Sequence, residues 1–295
     1  MCYRLITVIF VLTQLCSLAV SEELDPSEKN SSLDQLIAIS NNVDLQLRSY
    51  KAEGRFREYD IIDDDFQLTK DAQITANCSG ARYYLNLEFT SHNEAEQRRV
   101  ILFDGSTLAT SRFSPKISVT GAGGDLFPAR ASRAGIVSPQ IASFPWDISH
   151  LQRELCCLPL VIENLGRDRL SCSKTMEGDL KAGYLVGKSG KAGKVSLVFR
   201  KKDGFHLSCY HCENPQGKLM KTNDLDWINI DGVWCVKKMV EVSFIANKKW
   251  ELEFKSISPN VMLDEKTFAL EALDLPARSR IIDRGQQTRF IRVAP

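Results

Sequence analysis

The second half of this 295-residue chain alternates apolar and polar residues in short runs from Val195 to Arg284, and this pattern constrains the fold most. In the segment 250–256, Trp250, Leu252 and Phe254 occupy every second position, and polar residues fill the positions between them. Successive side chains of a β-strand point to opposite faces of a sheet, so the segment predicts a strand with one apolar and one solvated face. The repetition of such runs predicts a mainly β protein.

The first half of the chain shows the same alternation. The run 82–90 places four apolar residues on one face of a predicted strand: Tyr83, Leu85, Leu87 and Phe89. The run 100–108 breaks at Asp104-Gly105 between two apolar segments. Asp-Gly between strands predicts a hairpin, because a type I′ turn requires positive φ at both central positions.

The remaining segments predict the domain organisation. Apolar residues keep an approximately helical spacing from Ser32 to Ser49, and Ser32 is a suitable N-cap, so one amphipathic helix is expected there. We expect a loose leader over residues 22–31 and one domain of the α+β class, mainly β, over residues 32–295. Glycines and prolines interrupt residues 121–194, which predicts a long irregular insertion with a short helix near 146–155.

The first 21 residues have the pattern of a cleavable secretory signal peptide. Arg4 precedes an apolar run over residues 5–12, and small residues, Ala19 and Ser21, stand before a predicted cleavage between Ser21 and Glu22. No later stretch reaches the roughly 20 apolar residues that a membrane-spanning helix needs. The sequence therefore predicts a periplasmic or secreted protein that is not integral to the membrane.

The charge balance argues against nucleic acid as a partner. The chain has 38 basic and 37 acidic residues, and removal of the predicted signal with Arg4 leaves 37 of each. Phosphate binding needs a concentrated basic excess, which a neutral chain of this kind does not provide.

The cysteines leave several interpretations open. Seven of nine remain after the predicted cleavage, and an oxidising compartment would pair most of them, whereas a reducing one would leave them as small core residues. The motif Cys209-Tyr-His-Cys212 permits a disulfide that staples a turn, a redox pair or a zinc site. Redox chemistry favours a helix N-terminus, and zinc needs four uncrowded ligands, so we expect the disulfide and no metal or other cofactor.

No catalytic constellation is apparent, so the sequence predicts a protein that is not an enzyme. There is no Gly-x-Ser-x-Gly elbow, and the four histidines are scattered. The segment 183–189 imitates a phosphate loop but has three residues between its glycines instead of four. The acidic run 63–65 is a predicted turn.

Two segments resemble the outer-membrane lipoprotein-sorting family of periplasmic lipoprotein carriers. The first is the strand, Asp-Gly turn and strand of residues 100–108, and the second is the segment 266–283 with Phe268, Pro276 and Asp283. Together they cover about a tenth of the chain. The order of the predicted helix and strands extends the likeness over most of it.

This resemblance implies a strongly curved antiparallel sheet that forms an incompletely closed barrel with a helical lid. Its concave face would shelter a lipid, an acylated group or another apolar ligand, with affinity from apolar burial at roughly 25 cal/mol per Å². The residues expected on that face are Tyr83, Leu85, Leu87, Phe89, Phe199, Trp250, Leu252 and Phe254. The same residues could instead fill the core of a regulatory module that binds an envelope protein. A third alternative is a thiol oxidoreductase that uses Cys209 and Cys212.

Overall fold

The computed structural model of the chain describes residues 21–80, 82–90, 97–104, 107–113, 123–128, 167–186, 193–273, 280–283 and 291–293. A short strand β1 (Ser21–Glu23) and the helix α1 (Pro26–Gln46) come first. The other described strands are β2 (Ser49–Ile62), β3 (Asp65–Ser79), β4 (Arg82–Phe89), β5 (Arg98–Phe103), β6 (Thr107–Phe113), β7 (Gly123–Pro128), β8 (Ser171–Thr175), β9 (Leu180–Val186), β10 (Gly193–Arg200), β11 (His206–Glu213), β12 (Leu219–Ile230), β13 (Val233–Ser243), β14 (Lys248–Pro259), β15 (Arg280–Asp283) and β16 (Ile291–Val293).

All these strands belong to one sheet in which two meanders lie side by side. The sheet order runs β1, β8 to β14, β2 to β7, β15 and β16. Strand β14 pairs with β2 and so joins the second meander to the first, and β7 with β15 is a parallel pair within an otherwise antiparallel sheet. The end strands β1 and β16 are not paired with each other, so the sheet is not closed.

The sheet curves around a single interior. One apolar cluster holds buried inner-face residues from distant strands, including Ala182 on β9, Leu252 on β14 and Ile101 on β5. A helix is about 10–12 Å wide and covers two or three strands spaced about 4.8 Å apart. Within the described ranges α1 is the one α-helix, and it is too narrow to bury so many strands, so the inner faces of these strands also bury one another. The predicted fold, a curved, mostly antiparallel open sheet with a helical lid, is confirmed.

Irregular strand registers accompany this curvature. The pairing of β2 with β14 shifts between Phe254 and Ser256, and that of β12 with β13 shifts between Asp226 and Trp227. Such bulges bend a strand and increase its local twist. At the first of these shifts the backbones approach so closely that a Cβ atom on Gly54 would lie 2.1 Å from the Glu253 carbonyl oxygen.

The predicted loose leader over residues 22–31 is wrong, because β1 and the start of α1 occupy most of it. The Asp25 carboxylate accepts hydrogen bonds from the backbone N–H groups of Ser27, at 2.7 Å, and Glu28, at 3.0 Å. Hydrogen bonds from Ser27 and from the backbone N–H of Glu28 lower the pKa of Asp25. Pro26 fits the first helical position, where no N–H partner is needed.

The predicted irregular insertion is also partly wrong. Strands β7, β8 and β9 lie within residues 121–194, and β10 begins there. Gly183 fits into β9 at a place where an added Cβ would be 3.1 Å from Ser171 Oγ, so this glycine serves close strand packing. The helix expected near 146–155 lies outside the described residues.

The turn predictions are confirmed where they can be compared with the structure. Asp63 and Asp64 link β2 to β3 with φ of 50° and 65°. The strands on both sides of Asp104-Gly105 pair as a hairpin, with Phe103 opposite Leu108. The alternating region from Val195 to Arg284 also predicts a strand over residues 268–273, but the structure has two short 3₁₀ turns there, Glu265–Phe268 and Leu270–Leu273.

We predict that Gly54→Ala destabilises the protein by about 1–3 kcal/mol, because the new methyl group forces apart the backbones that join the two meanders. Denaturant titration measures the change in the free energy of unfolding. Lys51→Ala on the exposed face of the same strand is the control and should change it by less than about 0.5 kcal/mol. Equal effects of the two substitutions would contradict the close approach at Gly54.

Candidate functional site

The residues expected on the concave face belong to one apolar cluster. Six of them are buried, namely Leu85, Leu87, Phe199, Trp250, Leu252 and Phe254, and the half-buried Tyr83 and Phe89 pack against the same cluster. They come from β4, β10 and β14, which the curvature of the sheet brings around one interior.

Helix α1 covers part of this interior. Among its described side chains, Leu33 and Leu36 are fully buried in the apolar cluster, and Ile37 packs against it. The helix contacts β8, β11 and β13. Among the side chains of α1 that the structure describes, these two leucines are the fully buried ones, and the others are exposed or half-buried.

The C-terminal end of α1 is fixed to the end of β14 by one asparagine. Asn260 Nδ2 donates to the Gln46 carbonyl oxygen at 2.8 Å, and its Oδ1 accepts from the Arg48 N–H at 3.0 Å. These bonds hold the point where the helix passes into β2. A movement of the helix away from the sheet would therefore pivot there.

A cleft lies beside this point, where β13 and β14 separate. Their pairing ends at Lys238 with Glu253, and β14 continues paired with β2 alone. The cleft has an empty volume of about 200 Å³, part of it open to solvent, and is lined by Leu47, Tyr50, Ala52, Cys235, Val236, Phe254 and Ile257. The space that it leaves for a water-sized molecule is only about 10 Å³, whereas ligand pockets usually measure about 300–1,000 Å³, so the cleft does not hold an acyl chain.

The inner face also carries a row of polar residues, which the sequence analysis missed. Directly opposed residues on six neighbouring strands form this polar row, from β3 to β11: Lys70, Glu58, Trp250, Glu241, Asn223 and Tyr210. All except Lys70 are buried. The sequence contains a signal that two of these residues face inwards. Glu58 follows Phe56 and Glu241 follows Met239 at a spacing of two, which places each glutamate on the same face as an apolar core residue.

Two further rows flank the polar row along the strands. On one side lies the apolar row: Ala72, Phe56, Leu252, Met239 and Leu225. On the other side lies the charged row: Asp60, Lys248, Ser243, Lys221 and Cys212. The concave face is therefore amphipathic along the strands, from apolar through buried polar to charged.

Glu58 is the centre of one ion-pair group in these rows. Its Oε1 lies 2.8 Å from Lys248 Nζ and 3.2 Å from Lys70 Nζ, and its Oε2 accepts from Trp250 Nε1 at 3.1 Å. Burial alone would raise the pKa of Glu58, but the two ammonium groups outweigh burial and lower it. Glu58 is consequently held as a carboxylate inside the sheet.

Glu241 lies on the other side of Trp250 and behaves differently. It is 1% exposed, and its Oε1 is 2.9 Å from Lys221 Nζ. Burial raises the pKa of Glu241, and Lys221 opposes this only in part. The two carboxyl groups that flank one tryptophan thus have pKa values shifted in opposite directions.

The Cys209–Cys212 disulfide is not formed. Residues three apart in a strand point to opposite faces, so Cys212 packs against the inner cluster while Cys209 lies on the outer face, with its Sγ 3.1 Å from His211 Nε2. The same geometry separates the two sulfurs that a dithiol redox pair would need. None of the five described cysteines, Cys78, Cys172, Cys209, Cys212 and Cys235, forms a disulfide.

The described ranges contain no group of three or more His, Cys, Asp or Glu side chains placed to hold a metal ion. Among the helices that the structure describes, none is long and apolar enough to cross a lipid bilayer. Residues 1–20, which carry most of the predicted signal peptide, lie outside the described residues.

Several solved structures are similar to this chain. A DUF1329 family protein from Desulfovibrio piger has 15% identity and a TM-score of 0.47, covering 85% of this chain and 100% of its own. A putative outer membrane lipoprotein-sorting protein domain from Vibrio parahaemolyticus has 11% identity and a TM-score of 0.47, covering 82% and 97%. A LolA superfamily protein from Nitrosomonas europaea has 13% identity and a TM-score of 0.43, covering 81% and 98%. No family model and no curated protein sequence matches the chain.

By its own strand pairing and core, the described part of the chain belongs to the class of open, curved, mostly antiparallel sheets, and it carries helix α1 over the concave face. That class and the amphipathic inner face are the basis for a function.

We predict that Glu58→Gln destabilises the protein by about 1–3 kcal/mol at pH 7, because Lys70 loses its carboxylate partner and Lys248 keeps only Asp60. A carboxylate with a lowered folded pKa contributes stability above its unfolded pKa, near 4.5, and loses it as the pH falls through the folded value. The difference between the two proteins in denaturant titrations should therefore shrink at pH 3. Glu53→Gln, at an exposed site on β2, is the control with almost no effect at either pH. A difference that stays constant with pH would contradict this role of Glu58.

Proposed function

We propose that the protein is an exported, non-enzymatic carrier or sensor that binds a lipid, an acylated group or another apolar ligand on the concave face. The binding surface consists of the predicted residues on β4, β10 and β14 together with the apolar row. The observation that carries the proposal is the cover over that surface. In the described part of the chain this cover is helix α1, whose described side chains include two fully buried leucines.

The interior is filled in the conformation described here, so ligand binding requires α1 to move. The leucines at positions 33 and 36 contribute about 1.5–3 kcal/mol each through burial. An acyl chain of about twelve carbons gains roughly 0.8 kcal/mol for each buried CH₂ group, or about 10 kcal/mol in all. Burial of the acyl chain therefore contributes more free energy than the burial of these two leucines.

The replacement of the α1 leucines by a ligand would begin near Asn260, at the cleft between β13 and β14. The cleft is lined by Leu47, which directly follows α1, and by Phe254 of the proposed binding surface. Movement of the helix about its fixed C-terminal end would widen the cleft into the interior. An apolar ligand could then take the place of the leucines.

The proposed location outside the cytoplasm rests on the signal-like pattern of residues 1–21. An apolar ligand in water needs a protein that removes its surface from the solvent, and this is a task for binding energy rather than for catalytic residues. We therefore assign no enzymatic role to the concave face.

A second candidate is a regulatory module that binds an envelope protein and keeps its core permanently filled. The small volume of the cleft favours this alternative. Native mass spectrometry of the purified mature chain separates the two candidates. Retained lipid supports the carrier, whereas a ligand-free mass together with a bound protein supports the module.

We predict that Leu36→Ala strengthens binding of the apolar fluorescent probe N-phenylnaphthylamine by about thirtyfold. The substitution weakens the contact of α1 by about 2 kcal/mol, and the apparent affinity rises with the population of the open state. Fluorescence titration measures the dissociation constant. Gln35→Ala, at the neighbouring exposed position, is the control and should leave it unchanged. No probe uptake by either folded variant or by the wild type would refute the carrier proposal.

A further inference from the structure

The polar row contains a buried oxygen without a donor. Asn223 is 0% exposed, and its Nδ2 lies 3.4 Å from Glu241 Oε2, at the long limit of a hydrogen bond. Its Oδ1 has no hydrogen-bond partner among the described residues. Buried amide oxygens nearly always have a donor, so this oxygen is a feature that needs an explanation.

The orientation of this amide follows from its neighbour. Burial raises the pKa of Glu241, but the Lys221 ammonium group 2.9 Å from Oε1 favours the carboxylate. A carboxylate only accepts hydrogen bonds, so the NH₂ group of Asn223 faces Glu241 and its oxygen faces away from it. Turning the amide over would place two acceptors together. Asn223 Oδ1 is therefore the hydrogen-bond acceptor on this part of the inner face, because the contact with Glu241 sets the orientation of the amide.

The charges around this point are balanced. Lys221 pairs with Glu241 at 2.9 Å, Lys70 pairs with Glu58 at 3.2 Å, and Lys248 lies 2.7 Å from Asp60 as well as 2.8 Å from Glu58. Three ammonium groups thus face three carboxyl groups, and each ammonium group already has a carboxylate partner. A phosphate or carboxylate head would have to break one of these pairs, and a cationic head would compete with a lysine.

The polar row lies beside the apolar row, which is part of the proposed binding surface. The apolar row is two residues further along each strand, a distance of about 7 Å. Leu252 is two residues from Trp250 on β14, and Met239 is two residues from Glu241 on β13, so the members of each pair are neighbours on the inner face. A ligand with its head on the polar row would lay the first carbons of its tail on the apolar row.

We propose that the polar row binds the head of an amphipathic ligand, and that this head is an uncharged hydrogen-bond donor such as a glycerol hydroxyl or an amide N–H. Asn223 Oδ1 accepts the hydrogen bond, and Glu241 holds the Asn223 amide in place. The proposal rests on the proposed carrier function and adds the chemical class of the ligand to it.

The first test compares three ligands that share a twelve-carbon chain: monolaurin, methyl laurate and dodecyl phosphate. Each displaces N-phenylnaphthylamine from the mature protein below its micellar concentration. We expect monolaurin to bind about tenfold more tightly than methyl laurate, which has no donor, and than dodecyl phosphate, which is anionic. Equal affinities, or a preference for dodecyl phosphate, would overturn the proposal.

The second test removes the acceptor. In Asn223→Leu, which has a side chain of similar size, we expect the ratio of affinities for monolaurin and methyl laurate to fall from about ten to about one. The matched control is Asn77→Leu, on the outward face of β3, which should keep the wild-type ratio. A ratio that survives in Asn223→Leu would show that Asn223 does not bind the head.

The outcomes distinguish this proposal from the carrier function on which it rests. If methyl laurate binds but monolaurin has no advantage, the carrier function stands and the head-group proposal fails. If neither the reporter nor any of the three ligands binds, the carrier function fails and this proposal with it. Should Asn223→Leu not fold, the ranking of the three ligands on the wild-type protein still decides the question.

Discussion

The pairing of β14 with β2 is the interaction on which the rest of the structure depends. It runs from Lys248 with Asp60 to Pro259 with Tyr50 and joins two meanders that are each formed from local hairpins. It also places Trp250 beside Glu58 and Leu252 beside Phe56, so the apolar and polar rows are continuous across the seam. Without this long-range pairing there would be two separate sheets, and neither would enclose an interior.

The sequence predicts the local part of this architecture well. The faces of β4 and β14 follow from the period of two, because alternation depends only on the strand itself. The connection between the meanders is a contact between residues about 190 positions apart, such as Glu58 and Trp250, and no local pattern encodes it. The early start of α1 was encoded in Asp25-Pro26, but the more apolar segment after Ser32 drew the predicted boundary towards it.

The candidate site also has a part that the sequence predicts and a part that it does not. The apolar residues of the concave face were predictable, since each lies in a strand with clear alternation. The polar row was predictable only in part. Glu58 and Glu241 are in phase with Phe56 and Met239, and their pairing with Trp250 agrees with that spacing. Asn223 was not predictable, because a bulge between Asp226 and Trp227 shifts the phase of β12 and obscures which of its residues face inwards.

An interior that is filled and yet proposed to bind a ligand requires the helix to be an exchangeable part of the core. Most of the stability of a helix in a protein comes from the packing of its apolar face, so the amides of the 21-residue α1 lose protection when it is displaced. Hydrogen–deuterium exchange with and without a bound twelve-carbon acyl ligand tests this claim most directly. The account predicts faster exchange across α1 and slower exchange in β4 and β14 when the ligand is bound. Unchanged protection of α1 in the ligand-saturated protein would contradict it.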